Sequence, residues 1–297
     1  MRIGERIMKR KPALGVALGG GGVRGFAHIG VLKVLSAEGI TIDCISGTSM
    51  GGIVASLYAC GQDASQLESI AKKVSKLGEL AKLMDARITK LDHVFSSKAL
   101  QEFFAEIVGS DVSFADLQIP LALCTVDFKK AEEVVLQSGA LIPAVNATMG
   151  LPGIVEEVII EGSTLVDGGS LNNVPADYVR TMGADVVVAV DVSPHITDTE
   201  YWKSQKMPGI ASGYWRANAM MGAAITEAKL RKAKVDVLIH PDIGQDVATL
   251  GGFNQIEQVI AAGEKATWDI MPELKKQLKE RFFFSKATIK PAKPMQL

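Results

Sequence analysis

Short apolar runs alternate along the chain with segments whose apolar residues recur at helical spacing. A run of four to eight apolar residues indicates a buried strand, whereas apolar residues three or four positions apart indicate one face of a helix. Residues 185–192 read as a continuous apolar run, which is typical of a strand covered on both faces. The pattern predicts strands at 14–18, 41–46, 121–126, 133–136, 158–160, 164–166, 185–192 and 235–240, and helices at 25–38, 52–59, 63–106, 141–148 and 255–281.

This alternation of strands and helices predicts one α/β domain. Because no internal repeat or Ser/Pro-rich linker divides the 297 residues, we expect residues 14–180 and 181–297 to be two parts of one fold, after a basic tail at 1–13. Glu161-Gly162 lies between two short predicted strands and predicts a hairpin. Asp63 and Gln66 predict a reciprocal cap at the start of a helix.

Composition excludes several classes of function. The net charge of -1 gives no overall positive field to attract nucleic acid. Cys44, Cys60 and Cys124 are too few and too widely spaced to predict a disulfide framework or a metal cluster, and they fit a reducing compartment. No apolar run reaches the roughly 18 residues of a membrane helix, and the short run at 13–18 fits a buried strand better than a signal peptide. We therefore expect a cytoplasmic protein without a metal site or a nucleic-acid partner.

The pentapeptide Gly47-Thr48-Ser49-Met50-Gly51 has the form G-x-S-x-G and lies between a predicted strand and a predicted helix. Small residues on both sides allow a strand to turn sharply into a helix, since larger side chains would collide with the backbone. The serine at the apex is then strained and exposed, with the N-terminal dipole of the following helix behind it. Ser49 is therefore the predicted nucleophile.

A second glycine-rich segment, Gly20-Gly21-Gly22-Val23-Arg24-Gly25, follows the first predicted strand. The N–H groups of successive glycines can point into one concavity and bind an anion. That anion is either the pyrophosphate of a dinucleotide, with Asp43 contacting the ribose, or the oxyanion that forms when Ser49 attacks an ester. We prefer the oxyanion, because Asp43 does not end its strand and the chain runs directly on into Ser49. No G-x-x-x-x-G-K-[ST] motif supports a P-loop.

A reactive serine needs a base, and the residues alone leave its identity open. The chain order Ser49, Asp167 and then His195 or His240 suits the triad of an α/β-hydrolase. Asp167-Gly168-Gly169 ends a predicted strand and equally fits an ordinary Asp-Gly turn. For His28, in the first helix, a structural role is favoured over a catalytic one.

The three motifs together resemble one family. The glycine segment with its arginine, the G-T-S-M-G pentapeptide, and D-G-G followed by Asn172-Asn173-Val174-Pro175 are similar to the patatin-like phospholipases, most closely to their small bacterial members. The resemblance covers roughly residues 14–195. It implies a three-layer α/β/α sandwich with a mainly parallel central sheet. It also implies that the substrate is a lipid or another acyl ester, and that hydrolysis needs no metal or cofactor.

The resemblance further implies a serine–aspartate dyad in place of a triad. Ser49 would be the nucleophile and Asp167 the proton acceptor, with an acyl-serine intermediate that water cleaves. Because a free aspartate has a pKa of about 3.9, we hypothesise that Asp167 is desolvated, which raises its pKa. The resemblance assigns the oxyanion hole to Gly20, Gly21, Gly22 and Met50, and supporting roles to Arg24, Gly25, Gly47, Gly51, Gly168 and Gly169.

Aromatic residues and methionines cluster at 201–221, and Phe282-Phe283-Phe284 follows a basic stretch near the C-terminus. Such segments fit a lid or a surface that rests on a bilayer. Core packing, a dimer contact or an ordinary helix end explains them at least as well. Peripheral contact with the inner membrane face and homo-oligomerisation therefore stay open. The alternative to an enzyme is a non-catalytic lipid- or protein-binding member of the same fold, against which the intact Ser49 and Asp167 argue.

Overall fold

One sheet organises the part of the chain that the computed structural model describes, residues 11–75, 98–152, 155–204, 209–247 and 253–282. The described strands are β1 (Leu14–Leu18), β2 (Cys44–Gly47), β3 (Leu121–Asp127), β4 (Glu132–Leu136), β5 (Val158–Ile160), β6 (Ser163–Asp167), β7 (Val186–Val190) and β8 (Val237–Ile239). Hydrogen-bonded neighbours follow the order β5-β6-β3-β2-β1-β7-β8, and β4 pairs with β3. The sheet is mainly parallel, since β1, β2, β3, β7 and β8 all run in one direction.

The central strands are apolar because helices cover both faces of the sheet. Every residue of β1, β2 and β7 is buried, so the predicted two-sided cover of residues 185–192 is confirmed for β7. Successive side chains of a strand point to opposite faces. In β1, Leu14, Val16 and Leu18 join one apolar core, whereas Ala17 joins the other.

The helices form the outer two layers. The described helices are α1 (Ala27–Ala37), α2 (Met50–Ala59), α3 (Ala64–Ser75), α4 (Lys98–Val108), α5 (Leu141–Thr148), α6 (Ala176–Thr181), α7 (Thr199–Ser204), α8 (Gly209–Ala233) and α9 (Ile256–Phe282). The larger core receives side chains from α1, α2, α3, α4, α5 and α9, and the smaller core from α6 and the end of α8. The predicted three-layer α/β/α sandwich is therefore confirmed. Within the described ranges, none of these helices is long and apolar enough to cross a membrane.

Two local predictions hold in detail. The β5–β6 hairpin turns at Glu161 and Gly162, whose φ angles are 50° and 82°. Two consecutive residues with positive φ make the turn whose twist matches that of the flanking strands. Asp63 and Gln66 cap α3 reciprocally, because the N–H of each donates to the side chain of the other at 2.8 Å.

The structure also contains helices that the pattern did not predict: α6, α7 and α8. In α8, Gly209, Gly213 and Gly222 lower the helix propensity, and apolar residues occur on all sides. The aromatic segment at 201–221 divides accordingly: Tyr201 and Trp202 are buried core residues, whereas α8 carries exposed ones. Met207, residues 76–97 of the predicted helix 63–106, and Phe283-Phe284 lie outside the described residues.

Candidate active site

Ser49 stands at the apex of a tight turn between β2 and α2, as the pentapeptide predicts. Its backbone has φ 55° and ψ -126°, a region that residues with a side chain rarely enter. The glycines on either side leave no room for side chains. A Cβ atom at Gly47 would lie 2.5 Å from the carbonyl oxygen of Gly51, and one at Gly51 would lie 2.2 Å from the carbonyl oxygen of Leu18. The N-terminus of α2 therefore packs directly on the end of β1, with Ser49 held above it.

The register of β3 brings Asp167 to Ser49. Along one edge of β3, Leu123 and Thr125 both pair with β4. On the other edge, Leu123 pairs with Gly47 at the end of β2, and Thr125 pairs with Asp167 at the end of β6. Since β2 runs parallel to β3 and β6 runs antiparallel to it, the two strands point at each other along the same edge. Their C-terminal ends, which carry Ser49 and Asp167, meet there.

Asp167 is buried and forms a hydrogen bond with the side chain of Ser49. Its Oδ1 also accepts a hydrogen bond from the N–H of Gly169 at 2.8 Å, so the residue forms an Asp-Gly turn as well as facing the serine. Burial raises the pKa of Asp167 to about 6, although the hydrogen bonds from Ser49 and Gly169 act in the opposite direction. Desolvation favours the protonated carboxyl. The structure therefore supplies the desolvation that the dyad hypothesis requires.

Thr148, at the end of α5, fixes the backbone of the serine turn. The N–H of Ser49 donates both to the main-chain carbonyl of Thr148 at 3.1 Å and to its Oγ1 at 3.0 Å. The Thr148 hydroxyl in turn donates to the carbonyl of Cys124 in β3 at 2.6 Å. Sequence reasoning missed this residue, because a threonine at a helix end carries no signal of its own.

The glycine loop between β1 and α1 lies beside Ser49. A Cβ atom at Gly20 would lie 3.1 Å from the Cβ of Ser49, which places the loop against the serine. In the part of the chain that the structure describes, the N–H groups of Gly21 and Gly22 have no protein acceptor. The N–H of Gly20 instead donates to the carbonyl of Asn173 at 3.1 Å. The N–H of Gly20 is therefore already engaged, which favours those of Gly21 and Gly22 among the predicted oxyanion donors.

Met50 occupies the first turn of α2, where backbone N–H groups have no intrahelical acceptor. Its side chain meets the glycine loop: a Cβ atom at Gly25 would lie 2.7 Å from the Cβ of Met50. The N-terminus of α2 and the glycine loop are thus in contact next to Ser49. Partial positive charge at a helix N-terminus favours a nearby anion.

Asn173 holds the glycine loop to the aspartate turn. Its Nδ2 donates to the carbonyl of Gly20 and to Oγ of Ser193, both at 3.1 Å. A Cβ atom at Gly169 would lie 3.1 Å from the Oδ1 of Asn173, so the amide fills the space between the two loops. The Asn172-Asn173 pair was part of the sequence resemblance, but its bridging role was not predicted.

Arg24 and Gly168 allow the two loops of the site to pack against neighbouring segments. Nε of the buried Arg24 donates to the carbonyl of Val192 at 2.8 Å, and its guanidinium lies 5.4 Å from the ring centre of Tyr201. These contacts fasten the glycine loop to the segment after β7. A Cβ atom at Gly168 would lie 2.6 Å from the carbonyl oxygen of Cys124, so only glycine lets the aspartate turn lie against β3.

Among the described residues, no histidine is hydrogen-bonded to Ser49 or Asp167. His28 is fully buried, its Nε2–H donates to the carbonyl of Gly19 at 2.7 Å, and burial lowers its pKa to about 4. It is therefore a neutral structural residue. His195 and His240 pack edge to face with ring centres 5.1 Å apart. The remaining histidine, His93, lies outside the described residues.

Asp43, the residue that a dinucleotide site would need, lies at the opposite end of the sheet. Its Oδ2 accepts a hydrogen bond from the N–H of Leu14 at 2.7 Å, just before β2 begins. A ribose ligand would have to follow the C-terminal end of that strand. The described residues also contain no group of three or more His, Cys, Asp and Glu side chains that could hold a metal ion.

Comparisons with known proteins agree with this geometry. A family model described as Patatin-like phospholipase matches residues 16–180. Lysophospholipase nte1 of Aspergillus fumigatus is 32% identical over 279 residues, which are 87% of this chain and 18% of the relative. Human Patatin-like phospholipase domain-containing protein 6 is 33% identical over 207 residues, 68% of this chain and 14% of the relative. The chain thus spans less than a fifth of the length of these relatives.

Solved structures share the fold. VipD from Legionella pneumophila superposes with a TM-score of 0.53 at 16% identity, covering 90% of this chain and 67% of VipD. Human GIVD cytosolic phospholipase A2, solved in complex with methyl gamma-linolenyl fluorophosphonate, gives a TM-score of 0.52 at 11% identity and covers 92% and 60% of the two chains. The family model spans the strands and loops that build the site around Ser49, and the chain therefore belongs to the patatin-like phospholipase family.

Proposed function

We propose that this chain is a serine hydrolase that cleaves acyl esters of lipids through Ser49 and Asp167. The observation that carries the proposal is the buried Asp167 carboxyl group, which is hydrogen-bonded to the Ser49 side chain and has a pKa raised to about 6. A catalytic base works best when its pKa lies near the working pH. Burial thus moves an ordinary aspartate towards the basicity that a serine nucleophile needs.

In the acylation step, Oγ of Ser49 attacks the ester carbonyl carbon while its proton passes to Asp167. The carbonyl oxygen becomes an oxyanion, which the N–H groups of Gly21, Gly22 and Met50 would stabilise. The bond between the acyl carbon and the alcohol oxygen then breaks, and Asp167 returns the proton to the departing alcohol. The acyl group remains on Ser49 as an ester.

In the deacylation step, water takes the place of the alcohol. Asp167 accepts a proton from water as the hydroxide oxygen attacks the acyl-serine carbonyl, and the same N–H groups hold the second oxyanion. The bond to Oγ of Ser49 breaks, Asp167 returns the proton to Ser49, and a free fatty acid leaves. No other ionisable side chain takes part in these steps.

The substrate class rests on the family. The matching model is described as Patatin-like phospholipase, and the Aspergillus fumigatus relative is called a lysophospholipase. We therefore take phospholipids and lysophospholipids as the first substrates to test. We also propose a cytoplasmic location, peripheral membrane contact and homo-oligomerisation. Within the family, we propose that the chain is one of the small bacterial members.

Hydrolysis of lysophosphatidylcholine and of a soluble p-nitrophenyl ester tests the proposal. Ser49→Ala and Asp167→Asn should each lower kcat by ~10³-fold or more, because the two residues act as a unit. Ser56→Ala is a matched control, since that serine lies on α2 and its hydroxyl donates to the carbonyl of Gly52 one turn earlier. Turnover that survives Ser49→Ala would contradict the proposal. A folded wild-type protein without turnover would favour the non-catalytic alternative.

A further inference from the structure

The first half of α8 stands in solvent with an apolar face. Ile210, Tyr214 and Met221 are 93%, 71% and 56% exposed, and neighbouring Met220 is also exposed. Residues 210, 214, 217, 221 and 224 follow helical spacing and form one stripe, here called the α8 stripe, whose other members are alanines. Cβ atoms built at Gly209, Gly213 and Gly222 would meet no other atom within 4 Å. The space beside these three glycines is therefore open, whereas Trp215 on another side of the helix is half-buried.

Charged side chains anchor the other end of α8. Lys229 Nζ pairs with the carboxylate of Glu133 and lies 3.9 Å from that of Asp177. The carbonyl of Ala233 accepts a hydrogen bond from Nε of Arg180 at 3.3 Å. Glu133 itself is half-buried. Desolvation lowers the pKa of Lys229, but its hydrogen bond to Glu133 and the nearby negative charges together raise that pKa above its ordinary value. The helix is therefore fixed at its C-terminal end.

Because its C-terminal end is anchored, α8 points its exposed half towards the C-terminal ends of the strands, which carry the active site. Arg180, which holds the end of α8, also binds the carbonyls of Ala184 and Asp185 just before β7 begins. The 25 residues of α8 extend about 37 Å at 1.5 Å per residue. The five residues of β7 extend only about 17 Å. α8 runs back from the C-terminal ends of the strands to their N-terminal ends. Its first half therefore extends beyond the C-terminal ends of the strands, where Ser49 lies.

The chemistry of the α8 stripe suits a lipid surface. From Gly209 to Thr226 the only charged residue is Arg216, so little desolvation of charge opposes insertion. Tyrosine favours the boundary between headgroups and acyl chains, and Tyr214 lies exposed on the stripe. Covering these large apolar side chains with a partner would contribute about 25 cal/mol of binding free energy for each Å² of apolar surface removed from water.

A second copy of the chain fits the α8 stripe less well. A stable dimer buries about 800 Å² on each partner. The three large side chains of the stripe together with neighbouring Met220 offer on the order of 500 Å², since even a whole aromatic side chain contributes only ~150–250 Å². A lipid aggregate sets no such minimum area, because insertion is favoured by each apolar group that leaves water.

We propose that the α8 stripe inserts into the surface of a lipid membrane or micelle and holds Ser49 beside it. The choice of a lipid partner rests on the proposed function, whereas the exposed stripe itself does not. In this arrangement α8 stays in one position and does not close over the site as a lid would, because Glu133 and Arg180 bind its C-terminal end. The substrate would pass from the lipid surface to the site at the same edge.

Flotation with phosphatidylcholine vesicles tests this inference, in a Ser49→Ala background that prevents lipid turnover. Tyr214→Ser combined with Met221→Ser should lower partitioning into vesicles at least tenfold. Trp268→Ser, which removes a 48% exposed side chain from α9, is the matched control and should leave partitioning unchanged. Unchanged partitioning of the α8 variant would overturn the inference. The inference would also be overturned if the wild-type protein did not bind vesicles but formed a dimer, and if the α8 substitutions dissociated that dimer.

Turnover of a soluble ester separates this inference from the proposed function. With Ser49 present, the α8 variant should keep its kcat/KM for a short-chain ester dissolved below its aggregation limit, while hydrolysis of vesicle lipid falls. A loss of both activities would show that α8 supports the site itself, which contradicts a role restricted to docking. A wild-type protein without esterase activity but with α8-dependent vesicle binding would refute the proposed function alone.

Discussion

At the residue scale, the backbone of Ser49 stores strain. Its φ of 55° and ψ of -126° are readily adopted by glycine, whereas a residue with a Cβ pays ~1–3 kcal/mol there. Two hydrogen bonds from Ser49 N–H to Thr148 hold the position. The surrounding fold therefore supplies the energy that keeps the side chain facing Asp167.

Replacing Ser49 with glycine should release this strain. We expect Ser49→Gly to have a higher free energy of unfolding than Ser49→Ala, by about 1 kcal/mol, because only alanine retains a Cβ at positive φ. Both variants lack the nucleophile, so lost activity does not affect the comparison. Urea denaturation monitored by circular dichroism measures the difference. Equal stabilities would mean that the backbone of Ser49 is not strained.

Asp167 also carries a cost that the fold must offset. Burial raises its pKa from 3.8 to about 6, so the native state binds this proton more tightly than the unfolded chain does. The contribution of Asp167 to stability is therefore greatest below pH 4 and is lost as the pH rises through about 6. Near pH 7 the ionised carboxylate costs on the order of 3 kcal/mol.

Asp167→Asn should remove this pH dependence together with the activity. The stability of the variant minus that of the wild type should grow by roughly 3 kcal/mol between pH 4 and pH 7, since asparagine does not ionise. Contributions from all other titrating groups cancel in this difference. Denaturant titrations at a series of pH values measure it. A difference that stays constant with pH would contradict a raised pKa at Asp167.

At the element scale, α1 and α9 touch through their backbones and support the glycine loop from behind. A Cβ atom at Gly30 would lie 2.1 Å from the carbonyl oxygen of Ile260 and 2.6 Å from the backbone nitrogen of Glu264. One at Gly263 would lie 2.0 Å from the carbonyl oxygen of Ala27. Since α1 directly follows the turn Gly22–Phe26, the close approach of α9 fixes the position of the loop.

Gly30→Ala should therefore destabilise the fold although it adds a single methyl group. The two helices must separate, and we expect the free energy of unfolding to fall by ~1–3 kcal/mol or more. Gly222→Ala is the matched control, because it lies in α8 with open space around it. That control should be neutral or gain up to ~1 kcal/mol from helix propensity. A Gly30→Ala protein as stable as the wild type would rule out the close contact between α1 and α9.

At the scale of the whole molecule, the site joins chain segments that lie more than a hundred residues apart. The glycine loop and the serine turn could be found from the residues themselves, because tight turns restrict which residues can occupy them, whereas the role of Asp167-Gly168-Gly169 came from the resemblance to the family. Their meeting follows from the register of β2 and β6 on β3, which is a long-range pairing that local patterns do not encode. The same limit explains why Thr148 was missed.

The engagement of Gly20 shows a second limit. Glycine runs indicate several N–H groups in one concavity, but they do not show which group the fold itself consumes. Here the carbonyl of Asn173 accepts the hydrogen bond of Gly20, which leaves the N–H groups of Gly21 and Gly22 as the proposed donors to the oxyanion. The helix α8 was missed for the opposite reason: helix predictions rely on apolar residues that mark a buried face, whereas Ile210, Tyr214 and Met221 of α8 are exposed to solvent.

The central claim is that Asp167, without a histidine, activates Ser49. The most direct test is the rate at which a fluorophosphonate probe labels the protein as a function of pH, with the labelled residue identified by peptide mass spectrometry. Since histidines also titrate near pH 6, His195→Ala and His240→Ala must be measured beside the wild type.

The account predicts a covalent adduct on Ser49 that is absent from Ser49→Ala. The labelling rate should rise through about pH 6, keep that midpoint in both histidine variants, and lose the rise in Asp167→Asn. An adduct on another residue, or a midpoint that disappears when either histidine is removed, would contradict the account.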